Sequence, residues 1–258
     1  MQVEIVSLSK TGGREVNEDA CDSVSLTTGM CCCILSDGLG GHYGGEVASK
    51  LAVQHVLDGF REKPECSSQA IEALLHIADD AIVQEQQHDE KLKHMRATAV
   101  VLTIDTNHHQ AYWGHIGDSR LYSFRQGRIV KQTRDHSITQ SMIDAGYLQS
   151  EELRASPDRS KLYAALGNNE QFEVDILSNV FYVQEGDVFL LCSDGLWEYI
   201  EEGEMEQMLS QSTSAQEWLR ILEEQVLARG HEGQDNYSAM IVWCRESDET
   251  TKPYSMGL

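Results

Sequence analysis

Short segments with the alternating apolar and polar pattern of β-strands run through most of this sequence, and several are joined by tight turns. Asn107-His108-His109 and Gln126-Gly127 stand between such segments, as in β-hairpins. The strand-like segments cover residues 3–8, 22–27, 30–35, 97–105, 111–116, 121–124, 128–132, 174–177, 180–183, 188–192 and 237–243. Strands joined by hairpins favour antiparallel sheets over the parallel sheet of alternating strands and helices.

Helical periodicity interrupts this strand series. Apolar residues recur every three to four positions in residues 47–60 and again from residue 68, and helices also fit residues 202–209 and 215–228. Two packed sheets with helices outside would bury the 41% apolar content in one domain. We predict an α+β fold with four layers, an αββα sandwich of two mostly antiparallel sheets. The polar, weakly helical stretch from Ser137 to Arg159 would lie on it as a flap.

The charge balance limits the classes of partner. The formal net charge is −22, from 42 acidic and 20 basic residues, so binding to nucleic acid or to an anionic membrane is not expected. No run reaches the roughly 18 apolar residues of a membrane span, and Met1 to Lys10 do not resemble a signal peptide. We therefore expect a cytoplasmic protein, with a monomer as the default. The seven cysteines show no C-x-x-C spacing and are expected to be reduced.

Four short motifs place an aspartate beside a turn residue at the end of a strand-like segment. They are Asp37-Gly38-Leu39-Gly40-Gly41, Gly117-Asp118-Ser119-Arg120, Ser193-Asp194-Gly195 and Asp235-Asn236. A single Asp-Gly pair usually marks an ordinary turn. Four such acids converging on one point would repel one another by about 4 kcal/mol per pair at ~4 Å and intermediate dielectric. Divalent cations would reverse that sign, and oxygen ligands select Mg²⁺ or Mn²⁺ over zinc.

Six motifs in order resemble the metal-dependent protein phosphatases of type 2C, and in particular their bacterial branch. Three of the six are the motifs around Asp37, Asp118 and Asp194 given above, and the motif around Asp194 continues with Leu196-Trp197. The other three are Arg14-x-x-Asn17-Glu18-Asp19, Asp135-His136-Ser137 and Asp235-Asn236-x-Ser238. They span residues 14 to 238. The resemblance implies a single phosphatase domain over residues 1–245, with a flap over about 137–165, and a polar tail over 246–258.

The resemblance also implies the ligands of two metal ions, Mn²⁺ or Mg²⁺. Asp37 would bridge the two ions, and the Gly38 carbonyl would bind one of them. Asp194 and Asp235 would hold the first ion, and Glu18 would hold the second, largely through water. A water bridging the ions would then attack the phosphorus of phosphoserine or phosphothreonine in a protein.

Further residues take their roles from the same resemblance. Asp118 would support a third, weaker ion together with Asp194, and Glu198 stands where some relatives have another acid for it. Arg14 would bind the substrate phosphate through two parallel hydrogen bonds. His42 is a candidate general acid for the leaving oxygen, and the equal alternative is that it only caps or orients its loop.

Two positions depart from the usual family pattern. Arg96-Ala97-Thr98 stands where Gly-Thr-Thr is usual, and Ala164 replaces the usual arginine before Ala-Leu-Gly. Neither is an expected metal ligand, so the departures concern substrate approach or local packing.

Two other functions stay open beside an active protein phosphatase. An inactive relative that serves as a binding module would lack one or more metal aspartates, whereas Asp37, Asp194 and Asp235 are all present here. The other is a metal-dependent phosphoesterase acting on small molecules, which a closed pocket would favour, whereas a flap that covers the metals loosely would favour protein substrates. The expected partners are phosphoproteins and, by family habit, a serine/threonine protein kinase. The sequence does not identify the substrate or the kinase.

Overall fold

The computed structural model of the chain describes residues 1–39, 44–168 and 172–246. Within these ranges, the strands are β1 (Gln2–Lys10), β2 (Asp19–Ser25), β3 (Met30–Leu39), β4 (Arg96–Ala97), β5 (Ala99–Asp105), β6 (Gln110–Ile116), β7 (Arg120–Arg125), β8 (Arg128–Gln132), β9 (Asp175–Ile176), β10 (Phe181–Tyr182), β11 (Val188–Cys192) and β12 (Tyr237–Arg245). The helices are α1 (Gly44–Glu62), α2 (Ser68–His88), α3 (Ile138–Asp144), α4 (Asp194–Trp197), α5 (Glu202–Ser210) and α6 (Ala215–Arg229), and residues 90–92 and 150–152 form 3₁₀ turns.

The strands form two antiparallel sheets. One sheet has the order β1-β12-β11-β7-β8, and the other has the order β10-β6-β5-β3-β2, with β4 added to β3 and β9 added to β6. The hairpin between β7 and β8 turns at Gln126 and Gly127, whose φ angles of 52° and 74° match the primed turns that suit twisted strands.

Three apolar clusters fill the spaces between the layers. Alternate residues of β3 point to opposite faces: Cys31, Cys33 and Leu35 face the partner sheet, whereas Cys32 and Ile34 face α1 and α2. On the far side, α5 and α6 cover the other sheet. The predicted four-layer α+β sandwich is confirmed, because each sheet buries one face against its partner and the other against helices.

Several element boundaries differ from the sequence pattern. The strand predicted to end at Leu35 continues to Leu39, because residues 38 and 39 pair with β4. The strands predicted at residues 174–177 and 180–183 shorten to two residues each. The short helix α4 was not predicted, because four residues carry no periodic pattern.

The stretch predicted as a flap, residues 137–165, contains α3 and the 3₁₀ turn at 150–152. Ser137 caps α3 by accepting a hydrogen bond from the Gln140 amide at 3.1 Å. Buried Leu153 attaches the segment to the α5 and α6 side of the sandwich. None of the helices in the described ranges is both long enough and apolar enough to span a membrane.

Candidate functional site

The acids singled out from the sequence come from four separate segments. Asp37 lies inside β3, Asp118 lies between β6 and β7, Asp194 begins α4, and Asp235 precedes β12. Asp19, on β2, is directly opposite Asp37 in the strand pairing. The strand ends therefore place acids of both sheets at one end of the sandwich.

Hydrogen bonds from neutral groups connect Asp37 to the segment that carries Asp118. The Asp37 amide donates to the Thr98 hydroxyl at 2.9 Å, and the Thr98 amide donates back to the Asp37 carbonyl at 2.8 Å. The same hydroxyl of Thr98 is 2.7 Å from the hydroxyl of Ser119. Thr98 thus fixes the backbone of one acid relative to the other.

A second set of bonds joins β2 to the segments of Asp194 and Asp235. The Ser193 hydroxyl donates to Asp19 Oδ2 at 2.8 Å and accepts the Ser238 amide at 2.9 Å. The Glu18 amide donates to Asn236 Oδ1 at 2.8 Å. The segments that carry the acids are therefore bonded to one another rather than merely adjacent.

Two glycines permit backbone contacts that a side chain would prevent. A Cβ on Gly195 would lie 2.0 Å from the Asn236 carbonyl oxygen, and a Cβ on Gly38 would lie 2.0 Å from the Gly45 carbonyl oxygen. Gly195 lets the start of α4 pack on the segment after Asp235. Gly38 lets β3 approach the start of α1.

The acids raise one another's pKa. Burial, followed by the charges of the neighbouring aspartates, raises the pKa of Asp37 well above its ordinary value. Burial and then Asp118 and Glu198 do the same to the pKa of Asp194. Burial and Asp135, opposed by Arg120, raise the pKa of Asp118 to about 7. The positive charges of the neighbouring residues therefore do not balance the negative charge of these acids.

The donor set fits divalent cations. Asp194 Oδ1 and Asp19 Oδ1 are buried oxygens with no hydrogen-bond partner in the described part of the protein. An unpaired buried carboxylate oxygen costs free energy that a cation would recover. Oxygen ligands of this kind suit hard ions such as Mg²⁺ and Mn²⁺.

The backbone of Asp118 is held from both sides. The Trp197 indole donates to the Asp118 carbonyl at 2.9 Å. Its ring is covered by the Arg120 guanidinium, 3.6 Å from the ring centroid. On the other side, the Gly117 amide donates to His136 Nδ1 at 3.2 Å, and the His136 amide donates to the Gly117 carbonyl at 2.9 Å. Trp197 and His136, which both stand in the motifs of the sequence, therefore hold the backbone on either side of Asp118.

Two arginines reach the rim of the site. Arg14 Nη2 donates to Asp235 Oδ2 at 2.9 Å, and both side chains are about half exposed. Arg159, on the flap, donates from Nε and from Nη2 to the two carboxylate oxygens of Glu198, the latter at 2.9 Å. Arg159 therefore ties the flap to an acid that neighbours Asp194.

A second group of possible metal ligands lies at the root of the flap. Ligand atoms of His115, His136 and Asp175 lie within 4.8 Å of one another. His136 Nδ1 accepts a hydrogen bond from Gly117, so the proton of the neutral ring sits on Nε2, which is 3.5 Å from Asp175 Oδ2. That nitrogen then carries a proton that faces the Asp175 carboxylate and is not a free ligand.

The residues at and around the site divide into three sets. Asp37, Asp118, Asp194 and Asp235 lie at one end of the sandwich, and the Glu18 carboxylate lies beside the Gly45 backbone, near Gly38. His42 lies outside the described residues, together with Gly40 and Gly41. Asp19, Thr98, Ser193 and Asn236 support the acids but were not predicted as site residues. Asp19, Ser193 and Asn236 stood within quoted motifs, and Thr98 stood in the Arg96-Ala97-Thr98 run that departs from the family pattern.

Comparisons with known proteins show the family of the chain. A family model described as protein phosphatase 2C matches residues 9–235. The chain is 28% identical over 255 residues to protein phosphatase PhpP of Streptococcus pneumoniae, covering 95% of this chain and 99% of that protein. It is 30% identical over 214 residues to the serine/threonine phosphatase stp of Listeria welshimeri, covering 81% and 82%. A solved structure of the catalytic domain of PstP in complex with two manganese ions gives a TM-score of 0.80 at 26% identity, covering 95% of this chain and 99% of that chain.

Proposed function

Because the chain belongs to the protein phosphatase 2C family, and is therefore a metal-dependent serine/threonine protein phosphatase, we propose that its cluster of acids is the catalytic centre. The observation that carries this proposal is the hydrogen-bonded convergence of four separate segments on acids that raise one another's pKa. The PstP relative with two manganese ions supports a site of two cations.

We assign the metal ligands as the sequence predicted them. Asp37, the Gly38 carbonyl, Asp194, Asp235 and Glu18 would hold two ions, Mn²⁺ or Mg²⁺, and Asp118 would contribute to a third with Asp194. Bound ions of this kind supply a water ionised near neutral pH and stabilise charge on phosphoryl oxygens.

The residues of the chain then position and bind. Thr98 and Ser193 fix Asp37 and Asp19 through neutral hydrogen bonds, so they leave the negative charge of the acids available. Arg14 is exposed and holds Asp235 by one ion pair at 2.9 Å. Binding of a substrate phosphate would give the Arg14 guanidinium a doubly charged partner and free Asp235 for its ion. His42 stays a candidate proton donor to the leaving oxygen.

A partner kinase, a cytoplasmic location and a monomeric state stay predictions from the sequence. Phosphoproteins are the substrates of this class of enzyme, and the opposing kinase would be a serine/threonine protein kinase. Arg159 ties the flap to one rim of the site. A flap attached at a rim leaves room for an extended protein segment, which a closed pocket would not.

Phosphate release from a phosphothreonine peptide with Mn²⁺ tests the proposal. Asp37→Asn and Asp194→Asn are expected to abolish release and to weaken the rise in melting temperature that Mn²⁺ causes in the parent enzyme. Asp22→Asn, at an exposed aspartate of β2, is the matched control and should behave as the parent. Full activity in either site variant, or activity that survives a chelator, would contradict the assignment. Faster hydrolysis of small phosphate esters than of every phosphopeptide would favour a small-molecule phosphoesterase.

A further inference from the structure

Arg96 differs from the other arginines in the described residues. Each of the other eleven has a carboxylate oxygen within 4.0 Å. No described acid lies within that distance of Arg96. In a chain with 42 acidic and 20 basic residues, an arginine without an acidic partner is unexpected. Arg96 is an exposed residue, so an outside anion can approach it.

The strand pairing places Arg96 beside the acids of the site. Arg96 is opposite Leu39 in the pairing of β3 with β4, and Ala97 is opposite Gly38. Residues opposite each other in an antiparallel pair project from the same face, and so do residues two apart on one strand. Arg96 therefore projects from the face that carries Asp37. Strand spacings put the two Cα atoms roughly 8 Å apart.

A cavity of about 390 Å³ extends from this face toward the flap. Its described lining includes Arg96, His94 and Leu39 on one side and Tyr163 and Ala164 on the other, and it contains no aspartate or glutamate. The two departures from the family pattern, Arg96 and Ala164, thus line one cavity. The positive charge that is missing at residue 164 is present across the cavity at residue 96.

We propose that Arg96 binds an acidic group of the phosphoprotein substrate, close in sequence to the phosphorylated residue. This inference rests on the proposed function, since a phosphate held at the acids places the neighbouring substrate residues within reach of this cavity. The ligand chemistry is an anionic oxygen group, either the carboxylate of an aspartate or glutamate or a second phosphate. A guanidinium binds both with two parallel hydrogen bonds.

Paired peptide substrates test this inference. Phosphothreonine peptides with glutamate, glutamine or lysine at each position from two before to three after the phosphothreonine are compared, and so are doubly phosphorylated peptides. The parent enzyme is expected to favour the glutamate peptide over its glutamine counterpart by about fivefold in kcat/KM at one position, mainly through KM, as an exposed ion pair would provide. In Arg96→Ala this ratio should fall to about one, in Arg96→Lys it should partly recover, and in Arg96→Glu the lysine peptide should be preferred.

The control is Lys131→Ala, which removes another exposed cation without an acidic partner among the described residues, on strand β8. It should keep the parental ratio. Because each ratio is taken within one enzyme, a general loss of activity cancels. A parental ratio that persists in Arg96→Ala, or a parent enzyme with no preference for either anionic group, would overturn the inference while leaving the phosphatase assignment intact. Absence of hydrolysis of all the phosphopeptides would overturn both. The anion that Arg96 binds is identified by the peptide, with glutamate or with a second phosphate, whose kcat/KM advantage falls more in Arg96→Ala.

Discussion

Replacement of His115 by glutamine should make the protein less sensitive to acid. His115 lies in β6, is 3% exposed, and stacks on the ring of His136 with centroids 4.6 Å apart. Its Nε2 is 2.7 Å from the Arg134 carbonyl oxygen, so Nε2 must be the donor. Burial and then the nearby His136 lower the pKa of His115 from 6.5 to about 4, against the opposing hydrogen bond to Arg134 and the charges of Asp175 and Asp135.

The direction and size of the effect follow from this pKa. Above pH 6.5 the imidazole is neutral in both the folded and the unfolded chain, so the histidine has no pH-linked effect. As the pH falls from 6.5 to about 4, the unfolded chain binds a proton that the folded protein does not bind. The free energy of unfolding therefore falls by about 1.4 kcal/mol per pH unit, or about 3 kcal/mol in total.

Urea unfolding of the metal-free protein, followed by circular dichroism at pH 7.5, 6.5, 5.5 and 4.5, measures this contribution. The buried acids of the site have raised pKa values, so they stabilise the folded state as the pH falls, and this opposite effect is common to parent and variant. His115→Gln keeps a donor for the Arg134 carbonyl and cannot titrate. The free energy of unfolding of the parent, relative to that of this variant, should fall as the pH is lowered. The control His231→Gln, at an exposed histidine, should show the same pH dependence as the parent. A constant difference between parent and His115→Gln from pH 7.5 to 4.5 would refute the reasoning.

Three further changes have defined outcomes. Gly195→Ala forces a methyl group toward a backbone carbonyl oxygen 2.0 Å from the ideal Cβ position, so a loss of about 1–3 kcal/mol in unfolding free energy is expected by urea denaturation. Arg159→Gln removes the bond of the flap to Glu198, so amide hydrogen exchange in residues 150–160 should accelerate; unchanged exchange would show that other contacts hold the flap. His136→Asn keeps an acceptor for the Gly117 amide near the position of Nδ1, whereas His136→Gln does not. Calorimetric titration with Mn²⁺ should therefore show a lower affinity for the last ion to bind in the glutamine variant alone.

The fold was accessible from the sequence because its signals are local. Hairpin turns such as Gln126-Gly127 fix which strands are neighbours, and the alternation along β3 places one set of side chains against the partner sheet and the other against the helices. The helix α4 was missed because Asp194 to Trp197 form a single turn, which is too short to show periodicity. The strand β3 was predicted too short because its last residues pair with β4, a contact between segments about 57 residues apart in sequence.

The acids that we propose as the site could be singled out from the sequence for a different reason. Asp118, Asp194 and Asp235 each stand beside a turn residue at a strand end, and Asp37 follows the end predicted for β3, so the pattern can be recognised one motif at a time. Thr98, which holds Asp37, cannot be recognised in this way. Thr98 supports Asp37 only because β3 approaches the segment between β4 and β5 in one register, and a shift by one residue would turn its hydroxyl to the other face.

The distribution of cations around the site explains why these supporting residues are neutral. Arg120 is committed to Asp135 by two hydrogen bonds of 2.8 and 2.7 Å, and Arg159 is committed to Glu198. Each guanidinium therefore satisfies an acid at the margin and not the central pair, Asp37 and Asp194. Lysine or arginine in place of Thr98 or Ser193 would neutralise the centre permanently and remove its affinity for divalent ions. Hydroxyl and amide donors fix the positions of the acids without cancelling their charge, so that charge stays available to the cations that the chemistry requires.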